Sequence, residues 1–79
     1  MLVNVYTLKK PTFKAEAQSV NLKTAVGELT ILRGHRPYLT FLREGPVKIL
    51  NKNGKVSILE ASNGILEVLP GNRVNILLS

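Results

Sequence analysis

Along most of this 79-residue chain the apolar positions recur every second residue. Val3, Val5 and Thr7 show it, as do Val20 and Leu22 around Asn21, Leu29 and Ile31 around Thr30, and Val74, Ile76 and Leu78 around Asn75. A half-buried strand requires this pattern, because successive side chains point to opposite faces of its pleat. Helical spacing is weak throughout. The best helix candidate, around Lys14 to Gln18 behind Pro11, is too short to stand.

Turn chemistry divides the strands at short, fairly regular intervals. Asn53-Gly54, between VKILNK and KVSIL, is the strongest hairpin signal, since a type I′ turn needs positive φ at both central residues. Asn63-Gly64 is a second such signal. Pro70-Gly71 suits the centre of a type II turn, and Glu44-Gly45-Pro46 makes a further break. Short strands with frequent turns predict an all-β sandwich or barrel, a single domain with no linker or internal repeat. The final run, Val74 to Ser79, is apolar enough to need shelter from a sheet or a partner.

The absence of cysteine removes disulfides and thiolate metal sites from consideration. No segment approaches the roughly 20 apolar residues of a membrane-spanning helix, and the start MLVNVYTLKKPTF lacks the order of a signal peptide. The chain therefore reads as soluble or peripheral. Eleven Lys and Arg stand against five Glu, a formal net charge of +6. That balance permits acidic protein surfaces, nucleic acid or anionic headgroups as partners without choosing among them. The cations are scattered in sequence, with one cluster of arginines at Arg33, Arg36 and Arg43.

The stretch GELTILRGHRPYLT, residues 27 to 40, holds the only histidine, His35. Nucleophilic catalysis would need a base oriented by a third group, and Ser19, Ser57, Ser62 and Ser79 lie in ordinary strand or turn contexts. A lone histidine without cysteine or aspartate supplies no metal site, and Gly54-Lys55-Val56 is the far side of a hairpin rather than a phosphate loop. The residues thus predict neither enzyme nor cofactor. Single-stranded nucleic-acid binding is the rival reading, because Arg33, Arg36, Tyr38, Phe41 and Arg43 interleave cations with rings. Against it, four aromatics are few, and Tyr38 and Phe41 also suit the core or edge of a strand. Glu67, inside the apolar run Ile65 to Leu69, reads either as an outward carboxylate or as a rim residue beside a partner.

Three segments together resemble the epsilon subunit of F-type ATP synthase. GELTILRGHRPYLT is similar to that family's Gly-Glu-Leu-Gly-Ile-x-Pro-Gly-His-Ala-Pro-x-x-Thr. Asn63-Gly64-Ile65-Leu66-Glu67-Val68 with Pro70-Gly71-Asn72 resembles its Gly-Gly-x-Leu-Glu-Val and the turn behind it, and Phe13 matches the phenylalanine before the second strand. The resemblance implies a flattened β-sandwich of about ten short, mostly antiparallel strands. It also implies a non-catalytic rotor subunit at the foot of the central stalk, linking gamma to the polar loops of the c-ring and coupling proton or sodium translocation to ATP synthesis. Such a subunit is peripheral to the F1 side of the energy-coupling membrane: the bacterial cytoplasmic face, the chloroplast stroma or the mitochondrial matrix. It takes no nucleic acid.

In that picture Glu28, Arg33, His35, Arg36, Tyr38 and Glu67 are partner-binding residues, with Glu28 and His35 both on the side toward the c-ring and lower gamma. Thr30, Arg33 and Arg36 replace the family's usual glycine, proline and alanine, so the arginine pair is expected to meet an acidic group on gamma or the c-ring. Residues 1–79 correspond to the sandwich alone. The family's C-terminal helical pair, with its inhibition of hydrolysis and its nucleotide site, is expected to be absent.

Overall fold

A computed structural model of the protein describes residues 1–9 and 13–79; Lys10 and the break at Pro11 lie outside the described residues. Eight strands and no helix form among them: β1 (Leu2–Thr7), β2 (Phe13–Thr24), β3 (Gly27–Leu32), β4 (Tyr38–Leu42), β5 (Gly45–Asn51), β6 (Val56–Ala61), β7 (Gly64–Leu69) and β8 (Arg73–Leu78). The all-β expectation holds, with eight strands in place of about ten. Part of the difference is β2, which at 12 residues serves both layers as one strand.

The segment that offered a weak helix explains how. The first half of β2 pairs with β1, Val5 opposite Phe13 and Leu2 opposite Glu16. Its second half pairs with β3 and β5, and the register slips between Ala17 and Ser19. Gln18 is the extra residue of a β-bulge, a device that bends a strand and turns it across a sandwich. The buried positions are accordingly odd before it, at Ala17, and even after it, at Val20, Leu22 and Thr24. A local break of period two was the bulge showing in the sequence.

One layer runs β2, β1, β8, β7, β4, and the other runs β3, β2, β5, β6. The β1–β8 pairing is parallel and places the apolar final strand between β1 and β7, which supplies the shelter it needed. Val3, Val5, Val20, Leu22, Ile31, Val47, Ile49, Leu66, Val74 and Ile76 fill the interior, each almost or fully excluded from solvent. They are the inward members of the alternating pattern, and burial of such side chains contributes about 1.5–3 kcal/mol each.

Two turn expectations change. Gly54 has φ of +88°, but Asn53 is not in the positive region, so the β5–β6 turn is not type I′. Gly54 N–H bonds to Asn51 O at 2.9 Å and Asn51 N–H to Lys55 O at 2.8 Å, leaving a three-residue loop in which only glycine needs the left-handed conformation. Asn63-Gly64 closes no hairpin: β6 pairs with β5 while β7 pairs with β4 and β8. Gly64 is required for another reason. A Cβ there would sit 2.1 Å from Leu77 O, so the backbone of β8 occupies the space a side chain would take. At Pro70-Gly71 the expected positive φ is present, +82° at Gly71, followed by +56° at Asn72.

Candidate functional site

Strand directions sort the connections into two ends. At one end lie the β3–β4 loop (33–37), the β5–β6 turn (52–55), the β7–β8 turn (70–72), the start of β1 and the bulge of β2. At the other lie the β2–β3 turn (25–26), the β4–β5 connection (43–44), the β6–β7 connection (62–63) and the end of β8.

His35 belongs to the first end and is half-buried. Its backbone N–H bonds to Leu32 O at 3.1 Å across a turn in which Gly34 takes φ of +83°. Its Nδ1 lies 2.7 Å from Arg36 O; a carbonyl can only accept, so this bond is made by the tautomer with the proton on Nδ1. The Tyr38 ring lies 6.0 Å from the imidazole, tilted by 50°, and Tyr38 turns inward against the core opposite Val68. Arg33 and Arg36 flank this histidine, both exposed, and among the described residues neither guanidinium has an acidic partner.

The other candidates are elsewhere. Glu28 sits at the start of β3, opposite Lys23, with Oε2 accepting from Asn21 Nδ2 at 3.3 Å. It and His35 are thus at opposite ends of β3 and do not share one loop end. Arg43 also leaves the arginine cluster, since β4 carries it to the far end, where its N–H bonds to Lys23 O at 2.9 Å. Glu67 lies half-buried on the outer face of β7, and its Oε1 accepts from Asn75 Nδ2 at 3.1 Å. Asn75 Oδ1 in turn accepts from Asn4 Nδ2 at 3.4 Å, so a polar row crosses β7, β8 and β1.

Beside that row runs an apolar one that period-two reading had left as unremarkable outward positions. Phe41 pairs with Ile65, Ile65 with Leu77, and Leu77 with Tyr6. Phe41 is 68% exposed, and Leu39 on the same face is 66% exposed. Exposed apolar residues in a contiguous row mark a contact surface more often than a solvated one. The outer face of β6 and its neighbours adds Leu32, Val56 and Ile58.

Sequence reasoning also missed how the loops of the His35 end are tied together. Gly34 N–H donates to Asn72 Oδ1 at 2.7 Å, and Leu2 N–H donates to Asn72 O at 2.9 Å. The Met1 amine lies 3.4 Å from Glu16 Oε2, and Ala17 N–H donates to Met1 O at 2.8 Å. Lys52 N–H reaches Glu16 O at 2.9 Å, and Gln18 Nε2 lies 3.3 Å from both Asn51 O and Lys52 O. The signal that could have found part of this is Asn72, a residue that tolerates the left-handed region directly after a Pro-Gly turn. No group of three His, Asp or Glu among the described residues is placed to hold a metal ion.

These features define a small β-sandwich domain with exposed apolar rows on its two outer faces and one end rich in cations. The chain belongs to the ATP synthase delta/epsilon chain β-sandwich family, whose family model matches residues 1–79. It is 39% identical over 70 residues to the ATP synthase epsilon chain of Acinetobacter baumannii, an alignment covering 89% of this chain and 50% of that protein. The Acinetobacter baylyi epsilon chain is 37% identical over the same length. The chain therefore spans about half the length of the curated relatives it matches.

Among solved structures, a chain of the Tetrahymena thermophila mitochondrial ATP synthase central stalk and c-ring superposes with a TM-score of 0.79 at 25% identity, covering 99% of this chain and 62% of that one. A chain of the Euglena gracilis mitochondrial ATP synthase OSCP/F1/c-ring assembly gives 0.85 over 99% and 49%; at 18% identity it bears on the fold.

Proposed function

We infer that the protein is a non-catalytic central-stalk subunit of F1Fo ATP synthase, joining gamma to the c-ring and coupling proton or sodium translocation to ATP synthesis. The observation that carries this is the family match across residues 1–79. The central-stalk and c-ring setting of the Tetrahymena relative supports it.

In this reading the outer face carrying Phe41, Ile65, Leu77 and Tyr6 packs against gamma, since burying contiguous apolar surface is the main favourable term in association. Glu67 and the polar row beside it fix the register of that contact. Because Glu28 and His35 mark opposite ends of the sandwich, one end meets the c-ring loops and the other faces a different part of the stalk. Residues 1–79 supply the β-sandwich of this subunit, which sits peripherally on the F1 side of the membrane.

The nucleic-acid reading needs rings and cations in one groove. The exposed rings Tyr6 and Phe41 occupy an outer sheet face, Tyr38 turns inward, and Arg33 and Arg36 stand at the end of the sandwich. That separation favours the assembly reading. Mixing the chain with gamma tests it: association at micromolar concentration or tighter is expected. Failure to associate, together with tight binding to a single-stranded oligonucleotide that weakens steeply with salt, would overturn it.

A further inference from the structure

Among the described residues, cations scattered in sequence gather unevenly in space. Arg33 in the β3–β4 loop, Arg36 beside it, Lys52 and Lys55 in the β5–β6 turn and Arg73 at the start of β8 all fall at the His35 end, and all are exposed. The carboxylate at that end is Glu16, and the Met1 amine is paired with it. At the opposite end Lys9, Lys23 and Arg43 are balanced by Glu28, Glu44 and Glu60. Among the described residues, with Lys14 and Lys48 lying within β2 and β5, the two ends therefore differ in charge: nearly balanced at one and strongly positive at the other.

Hydrogen bonds also tie the loops of the positive end to one another. Asn72 locks the loop bearing Arg33 and Arg36 to the β7–β8 turn, and its backbone carbonyl ties both to Leu2. The Met1–Ala17 and Glu16–Lys52 bonds continue the chain of ties to the turn bearing Lys52 and Lys55. Arg73 is steadied where its Nε donates to Pro70 O at 3.0 Å. Loops held in place lose less entropy when a partner binds, so like charges kept together in this way make a preorganised docking surface.

We propose that the His35 end is a docking surface for an acidic protein segment, engaged by Arg33, Arg36, Lys52, Lys55 and Arg73 as one unit. Planar guanidinium forks pair with carboxylates and phosphates alike, and the lack of a base-stacking platform at this end favours the protein carboxylate. Among the described residues no fully exposed Phe or Tyr stands at this end to stack a base: Tyr38 is turned inward and the His35 ring is half-buried beside it. The proposal rests on the assembly reading and deepens it, naming the chemistry of one stalk contact.

The test is an NMR titration of the isotope-labelled chain with hexaglutamate, with hexaserine as control. Amide shifts confined to residues 33–36, 51–55 and 72–73 are expected, with affinity falling about tenfold between about 50 mM and 200 mM salt. The double variant Arg33→Glu/Lys52→Glu loses the binding while still unfolding cooperatively. Lys23→Glu/Arg43→Glu, at the other end, keeps it.

Shifts of equal size at Lys9, Lys23 and Arg43 would overturn the proposal, as would tighter binding to phosphatidylglycerol vesicles or to an oligothymidine than to hexaglutamate. Its failure is separable from that of the assembly reading. Binding to gamma without selective hexaglutamate binding removes only the basic end, whereas selective hexaglutamate binding without gamma association leaves this surface standing and removes the stalk role.

Discussion

Gly34 N–H donates a 2.7 Å hydrogen bond to the side-chain oxygen of Asn72, joining two loops 38 residues apart in sequence. Asn72 holds φ of +56° to do so, a conformation that costs most non-glycine residues about 1–2 kcal/mol but that Asn tolerates. Asn72→Gly keeps the backbone and removes the acceptor; Asn72→Asp keeps both. Amide exchange of Gly34 is expected to quicken in the glycine variant and to stay close to native in the aspartate variant. Unchanged exchange in Asn72→Gly would mean that the loop is held by something else.

Thr24 is fully buried at the far end, its hydroxyl donating to Gly27 O at 2.7 Å and accepting from Val26 N–H at 3.2 Å. Valine has the same shape without the hydroxyl, so Thr24→Val strands one donor and one acceptor of the β2–β3 turn. A loss of about 1–3 kcal/mol follows. For a domain this small each 1 kcal/mol lowers Tm by about 4–8 °C, which calorimetry reads directly. Thr24→Ser retains most of the stability.

Gly64→Ala forces a methyl against the β8 backbone at Leu77. Backbone cannot swing aside as a side chain can, so the β7–β8 pairing must shift, at a cost of about 1–3 kcal/mol or more. Urea unfolding should show a lower midpoint with the m-value unchanged. Gly71→Ala is the informative comparison: it strains φ but meets no close backbone atom, and a smaller loss is expected.

Leu22→Ala and Ile76→Ala each leave a cavity in the sealed interior and should cost about 2–5 kcal/mol. Ile58→Ala, at a side chain 59% exposed on the outer face of β6, should leave stability within about 0.5 kcal/mol. A large loss at Ile58 in the isolated chain would mean that this face is covered by the protein itself.

Much of the fold was legible because the code involved is local. Val3 and Val5, Val20 and Leu22, and Val74 and Ile76 announced both strand and inward face, and each is buried as the alternation requires. Asn63-Gly64 misled because a dipeptide that favours turning says nothing of which strands will pair across it. Gly64 is demanded by an approach from β8 that no window of sequence contains. Gln18 looked like a trace of helix because a bulge and a helix both break period two.

The candidate site was legible in part. His35, Arg33 and Arg36 are neighbours in sequence and remain so in space, whereas Glu28, grouped with His35 through the family resemblance, and Arg43, grouped by chain proximity, are carried away along β3 and β4. A strand moves the chain about 3.3 Å per residue, so even a short one separates the loops at its two ends.

By itself the sequence determined the strand class, the inward residues, the positions of most turns and the family, since each depends on residue type and spacing along one stretch of chain. Only the tertiary structure decided that β2 serves both layers, that Asn72 clamps Gly34, and that Arg33, Arg36, Lys52, Lys55 and Arg73 share one end. Those outcomes depend on which strands pair and in which direction. Pairing is settled by long-range packing of the whole core, and charges far apart in the chain become neighbours only after it is made.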